Sequence, residues 1–128
     1  MPKNAQSAFE FLLLVGVVFF AMVILVVASY SNIADLREKR DFLLARDTAF
    51  IVQNEFVLAN QVEDGYSRSF TLPEKLDGQQ YSLLIVGNSL TITTQKASYS
   101  VRIPEVQGIV AKGVNNLTKE NNVVVLNG

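Results

Sequence analysis

Few residues of this sequence could take part in covalent or metal chemistry, because its 128 residues include no cysteine and no histidine. Without cysteine there is no disulfide, thiol nucleophile or thiolate metal site. Without histidine the commonest general base and metal ligand is missing. The acidic residues are scattered, and no phosphate-binding loop or nucleophile motif occurs. The sequence therefore predicts a protein that is not an enzyme and has no cofactor or metal.

The charges nearly balance, with 11 basic and 12 acidic residues and a net charge of −1. A nucleic-acid-binding domain usually has a strongly basic surface. We therefore expect no nucleic acid among the partners.

A short stretch near the N-terminus combines charged, small and polar residues. Lys3 carries a positive charge, and a small residue, Ala5, precedes Gln6. Glu10 and Leu14 follow Gln6 at intervals of four. A carboxylate beside an apolar helix is costly unless it is solvated or paired. Glu10 is therefore either a solvated charge at the level of the lipid headgroups or a residue with a partner in an assembly.

The apolar residues of the chain are concentrated directly after Glu10. Between Phe11 and Ala34 there are 24 consecutive residues with no charge and no proline, and 20 of them are hydrophobic. At about 1.5 Å per residue such a helix is roughly 36 Å long, enough to cross a hydrocarbon core of about 30 Å. A helix that is apolar on all sides needs lipid or a helical bundle around it. Residues 11–34 are therefore predicted to be a transmembrane segment.

Together, these features resemble the class III signal peptide of archaeal type IV pilins and their relatives. The family's pattern is Gln, any residue, Ser, any residue, Glu, and then Leu four positions further on. Gln6, Glu10 and Leu14 match it, whereas position 8 is alanine and Ser7 stands one place early. The resemblance implies that a prepilin peptidase cuts between Ala5 and Gln6, so that residues 1–5 are a leader and the apolar helix is retained.

The resemblance also implies a role for Glu10. In the type IV pilin family the acid at this position is thought to pair with the N-terminal amine of a neighbouring subunit, which here is the amine of Gln6. Two charges that are costly alone in an apolar bundle become tolerable together. Such a pair would set the axial register of an assembly, because only one stagger satisfies both charges.

Two other interpretations of the N-terminal region remain open. An ordinary secretory signal would be cut after Ala28, leaving Ser29 as the first residue, although such signals usually have apolar regions of about 7–15 residues. A plain signal anchor would leave the whole segment in place as one membrane span, with Met1 as the first residue. The Lys/Arg distribution also conflicts with the leader: Lys3 precedes the apolar segment and three basic residues at 37–40 follow it. The positive-inside rule alone therefore favours the reverse orientation.

Beyond the apolar segment the pattern remains helical to about Val62, where Asp64-Gly65 predicts a helix end. One face carries apolar residues at intervals of three and four: Phe42, Ala45, Ala49, Val52, Phe56 and Ala59. Two neighbouring apolar rows widen this face: Leu36, Leu43, Phe50 and Val57, and Leu44, Ile51 and Leu58. Such a face could cover a small domain of its own chain alone, or neighbouring helices as well. Gly16 predicts a close helix–helix approach.

The C-terminal half, residues 64–128, has the period of two that is typical of strands. Strands are predicted at Ser67–Leu72, Gln79–Val86, Ser89–Gln95, Ser98–Ile103 and Asn122–Leu126, in an antiparallel meander with a hairpin turn at Gly87-Asn88. The predicted fold class is α+β: a long N-terminal helix, residues 6–63 with an amphipathic half at 35–63, packed on a small antiparallel β-sheet. Because about 65 residues without disulfides are marginally stable alone, we expect this β domain to depend on the helix.

The sequence Asn116-Leu117-Thr118 is an acceptor for N-linked glycosylation, in a stretch that is typical of a loop. Sequons also occur by chance, so a glycan at Asn116 and an unmodified loop both remain open.

These features favour a structural protein. We expect a prepilin held in membrane lipid with its C-terminal domain outside, then transferred by an assembly platform into an extracellular helical filament of identical subunits for adhesion or surface attachment. Alternatives are a minor pilin or secretion pseudopilin, an archaellum subunit, and a single-span membrane protein whose β domain binds a ligand.

Overall fold

The computed structural model describes residues 2–128, and its first element is the helix α1 (Lys3–Gln61). The helix ends one residue before the predicted end at Val62. Gly65 follows with a φ of +93°, a backbone conformation that glycine adopts without strain. The chain divides into two compact units, one up to Arg37 and one from Glu38 onward. We describe them separately and call the second unit, residues 38–128, the head.

The head adds seven strands to its part of α1. They are β1 (Ser67–Leu72), β2 (Ser82–Val86), β3 (Ser89–Thr93), β4 (Ser98–Arg102), β5 (Val106–Gly108), β6 (Gly113–Glu120) and β7 (Val123–Leu126). Four strands form one sheet in the order β1-β6-β7-β5, and three form a second sheet in the order β2-β3-β4. The prediction of an α+β fold, with a long N-terminal helix packed on a small, mainly antiparallel β structure, is confirmed.

The predicted single meander is correct for β2, β3 and β4 and wrong for the other strands. β1 pairs with β6, which is distant in sequence, and β5 pairs with β7 in parallel. The sequence pattern indicated neither β5 nor β6. The inward positions of β6 are Asn115, Leu117 and Lys119, all buried. Because two of these three residues are polar, the alternation of apolar and polar residues that marks a half-buried strand is hidden.

The core of the head lies between the helix and the strands. Five positions of the predicted apolar row are fully buried, with exposed fractions of 0%: Ala45, Ala49, Val52, Phe56 and Ala59. They belong to one cluster with buried strand residues that include Phe70, Leu90 and Leu117. The rings of Phe56 and Phe70 meet edge to face, with centroids 6.2 Å apart. The row prediction is confirmed at these five positions, and the sixth, Phe42, is partly covered: it is 41% exposed, with its ring centroid 5.5 Å from that of Tyr99.

A buried lysine closes the C-terminal end of α1. Lys119 on β6 is 5% exposed, and its Nζ donates hydrogen bonds to the carbonyl oxygens of Asn60 and Val62, both at 2.7 Å. The last carbonyls of a helix have no partner inside the helix, and a positive charge is favourable at that end. Lys119 therefore fixes the helix end against the four-stranded sheet.

The substitution Lys119→Met should destabilise the head by roughly 2–4 kcal/mol, because methionine keeps the length of the side chain but leaves the two carbonyls without their charged donor. Denaturant unfolding of the substituted chain measures this loss. Lys96→Met is the matched control, since Lys96 is exposed and its replacement should change stability by less than about 0.5 kcal/mol. Equal effects of the two substitutions would contradict the capping role.

Candidate assembly and modification sites

The peptide bond between Ala5 and Gln6 lies in the first turn of α1. The backbone N–H groups of Ala5 and Gln6 both donate to the carbonyl of Pro2, at N···O distances of 2.9 and 3.4 Å. The first turn of a helix has the fewest internal hydrogen bonds and frays most readily. The predicted cleavage site is therefore at the end of the helix that opens most easily.

The structure brings Gln6 and Glu10 into contact along one face of α1. The side-chain amide Nε2 of Gln6 donates to Oε1 of Glu10 at 3.4 Å, a long hydrogen bond between exposed side chains. Residues four apart are neighbours on a helix surface, so this contact follows directly from their spacing. It is a contact within one chain; the pairing of Glu10 with the amine of a neighbouring subunit stays a prediction.

Leu14 and Gly16 lie further along the apolar part of α1, and both are exposed. Leu14 is 61% exposed, and an added Cβ on Gly16 would meet no atom within 4 Å. The hydroxyls of Ser29 and Ser31 donate to the helix carbonyls of Leu25 and Ala28 at 2.8 and 2.9 Å, so these polar groups are satisfied internally. The helix is long and apolar enough to cross a membrane and could serve as a membrane anchor.

The head has a second apolar surface on the side of its helix that faces away from the core. At 100° per residue this side lies opposite the buried row. Four large side chains on it, 39–54% exposed, form what we call the outer strip: Leu43, Phe50, Ile51 and Leu58. The polar residues Asp47 and Asn54 lie among them. The ring of Phe50 also reaches the head's own strands, with its centroid 5.9 Å from that of Tyr99.

The predicted glycosylation site is not in a loop. Asn116 lies in β6, between β1 and β7, with its side chain on the exposed face of the four-stranded sheet. Its Oδ1 accepts a hydrogen bond from the Ser69 hydroxyl at 2.6 Å. The loop interpretation is therefore wrong, for the same reason that β6 was missed. The exposed side chain leaves room for a glycan, and modification of Asn116 stays a prediction.

A buried amide network beside this site was not predicted from the sequence. Asn115 is 0% exposed; its Nδ2 donates to the carbonyls of Ala111 and Gly113, and its Oδ1 accepts from the N–H of Ala111 and from Nδ2 of Asn127. Asn127 also bonds the backbone N–H and C=O of Asn116. The network attaches Asn127, near the C-terminus, to β6. The only signal in the sequence is an asparagine pair inside an otherwise alternating stretch.

Comparisons with protein-family models, curated proteins and solved structures find no match to this chain.

Proposed function

We propose that this chain is a structural subunit of an extracellular type IV pilus-like filament. A prepilin peptidase removes residues 1–5, and the apolar helix then moves from lipid into a bundle of identical helices. The apolar surface exchanges lipid for protein and does not meet water at any stage, so the hydrophobic effect does not oppose assembly. The head stays outside the membrane before and after this step.

The observation that carries the proposal is the outer strip. A single-span anchor needs apolar residues only inside the bilayer, whereas the strip places exposed apolar residues on the part of α1 that belongs to the head. Exposed apolar side chains that group on one side of a folded domain, with polar residues among them, are typical of interaction sites. In a filament built on a helical bundle, neighbouring helices would cover the strip. A monomeric anchored protein that binds a ligand through its β domain does not need the outer strip.

The residues near the N-terminus support the same proposal independently of the outer strip. Gln6, Glu10 and Leu14 lie directly before and within the apolar segment, with the spacing of the pilin leader. Glu10 is exposed in the single chain, so its carboxylate is available to a partner. After cleavage, the new amine on Gln6 of a neighbouring subunit supplies the positive charge that pairs with the Glu10 carboxylate inside the apolar bundle.

The outer strip gives a test that separates assembly from folding. Replacing Leu43 and Ile51 together by asparagine should leave the head folded and lower its free energy of unfolding by only about 1–2 kcal/mol, because both side chains are already about half exposed. It should lower the yield of surface filaments roughly tenfold or more, since each subunit loses apolar contact with its neighbours. Electron microscopy of sheared cell-surface material measures the yield.

The matched control is Ile109→Asn, which removes the most exposed large apolar side chain of the head, at 81% exposure, from a position outside the strip. This variant should assemble normally. If the strip variant assembles as well as the control, the strip is not an assembly surface and the anchored binding protein becomes the better proposal.

A further inference from the structure

The loops of the head lie at its two ends. Thr94, directly after β3, donates to the buried Asp41 near the start of the head's helix, whereas Lys119 on β6 contacts the carbonyl of Val62 beyond the helix end. Because all paired strands except β5 and β7 run antiparallel, the other loops alternate between these ends. We call one end the base; it holds the helix start and the loops 73–81, 94–97 and 109–112. We call the other end the top; it holds the helix end and the turns 62–66, 87–88, 103–105 and 120–122.

The base has an excess of positive charge on its exposed surface. Its loops carry three lysines, which are Lys75, Lys96 and Lys112. Of the two acids in these loops, Asp77 is paired with Arg40 of the helix, and Glu74 is in no ion pair within residues 2–128. At the helix start, Glu38 and Lys39 balance each other. The lysines of the loops therefore dominate the charge of this end.

The top has the opposite charge. Its turns carry four exposed acids, which are Glu63, Asp64, Glu105 and Glu120. Two basic residues at this end are already used: Lys119 is buried against the helix carbonyls, and Nε of Arg68 pairs with Oε2 of Glu55 at 3.1 Å. Within the described residues, only Arg102 remains to balance the four acids. The charges of the head are therefore separated along its helix, with lysines at one end and carboxylates at the other.

We infer that the base of one head docks on the top of the head of a second copy in the filament, with the lysines facing the carboxylates. The acids favour a second copy over a lipid surface, because anionic headgroups would match the lysines but leave the acidic top without a partner. A head-to-tail contact uses two different surfaces, so it can repeat through an open helical assembly. It also keeps the helices of both copies parallel, as the proposed bundle requires.

The charges set the register of this contact, and the apolar segments supply most of its affinity. Exposed ion pairs are individually weak and are screened by salt. Complementary charged surfaces nevertheless select one orientation, because like charges meet and repel in the others.

The contact can form only between copies that are shifted along the filament axis. The chain enters each head at the base, with only residues 35–37 between the apolar segment and the head. Identical copies held in one membrane therefore have their bases at one level, where a base cannot meet a top. The head's helix, residues 38–61, is roughly 36 Å long at about 1.5 Å per residue, so the shift must be about this large. The inference rests on the proposed function, because a filament supplies such a shift and a membrane does not.

Zero-length crosslinking of the full chain with a carbodiimide tests the contact directly, because this reagent joins a lysine amine to a carboxylate only where the two touch. Base and top of one head are too far apart to react with each other, so any amide between them joins two copies. Purified filaments should give crosslinked peptides that pair Lys75, Lys96 or Lys112 with an acid of the top, and chains in lipid vesicles should give none. An amide between Lys112 and Glu74, which lies beside Gly113 in the same head, shows that the reagent has reacted.

Charge reversal with compensation gives a second test. The base variant K75E/K96E and the top variant E63K/E105K each bring like charges together, and each should lower the yield of surface filaments roughly tenfold. The variant with all four substitutions has opposite charges again, with the ends exchanged, and its yield should return to within about twofold of the unmodified chain. All four side chains are exposed, so thermal unfolding by circular dichroism should verify a folded head in every variant.

Filaments that give the Lys112–Glu74 amide but no amide between base and top would overturn the inference. So would folded variants that all assemble normally, or a fourfold variant that is folded and not restored. A loss confined to the base variant would show that the lysines face another partner, such as anionic lipid, and would overturn it as well. An unmodified chain that forms no filaments refutes the proposed function itself, whereas each of the other results leaves that function standing.

Discussion

A chain that begins at Gly65 should not fold, whereas a chain that begins at Leu36 should keep the head's structure and unfold cooperatively. The reason is that five fully buried residues of the head's core, from Ala45 to Ala59, come from the helix. The shorter chain loses all of them and exposes the apolar faces of both sheets. It also loses the two helix carbonyls that satisfy the buried ammonium of Lys119.

The expected outcome follows from comparing the free energy lost with the helix and the total free energy of unfolding of the head. Removing the side chain of a buried phenylalanine such as Phe56 costs about 3–5 kcal/mol by itself. A domain of this size is stable by about 5–15 kcal/mol in total. The loss of Phe56 together with Val52 and three alanines is therefore comparable with the whole stability of the head.

The measurement is the far-ultraviolet circular dichroism signal of both purified chains as a function of temperature. The chain from Leu36 should show one sigmoidal transition, and the chain from Gly65 none. A cooperative transition for the chain from Gly65 would show that the strands form a core without the helix, against the packing described here.

The second large effect is expected for Glu10→Ala, which should abolish filament formation while the protein still accumulates in the membrane. In the proposed bundle Glu10 pairs with the amine of Gln6 from a neighbour. Removing one member of such a buried pair leaves the other charge uncompensated, at a cost of about 3–5 kcal/mol per subunit. Because a filament repeats this cost at every subunit, assembly should stop instead of slowing slightly.

The matched control for this substitution is Glu38→Ala, which removes an exposed carboxylate from the same helix outside the apolar segment. Filament yield by electron microscopy and subunit level in isolated membranes are measured for both variants. Normal filaments from Glu10→Ala chains at normal membrane levels would rule out the pairing and leave Glu10 as a solvated charge.

The helix could be predicted well because its signals are local. The spacing of Ala45, Ala49, Val52 and Phe56 identified the buried row, and Gly65 identified the helix end. The β2–β3 hairpin was also local: Gly87 has a φ of +57°, as the predicted turn with glycine first requires.

The four-stranded sheet could not be predicted because its evidence is not local. β1 pairs with a strand more distant in the chain than any hairpin partner, and β5 joins β7 in parallel. The inward residues Asn115 and Lys119 make β6 resemble a loop, since their partners, Ala111, Asn127 and the helix-end carbonyls, are known only from the fold. For the same reason Asn116, which lies in β6, was predicted to lie in a loop.

The candidate sites depend on the sequence and the structure in different ways. Gln6, Glu10 and Leu14 were identified from the resemblance to the pilin leader pattern, and the structure adds only that Gln6 and Glu10 are neighbours on the helix. The outer strip could be identified only from the structure. The strands of the head cover one row of apolar helix residues and leave Leu43, Ile51 and Leu58 exposed.

The most direct test of the proposed function is the identity of the first residue of the mature protein. Mass spectrometry of the N-terminal peptide from isolated membranes and filaments should give a chain that begins at Gln6, with the apolar segment retained. A chain that begins at Ser29 would indicate an ordinary secreted protein. A chain that still carries residues 3–5 would indicate a plain membrane anchor, and either result would contradict the filament proposal.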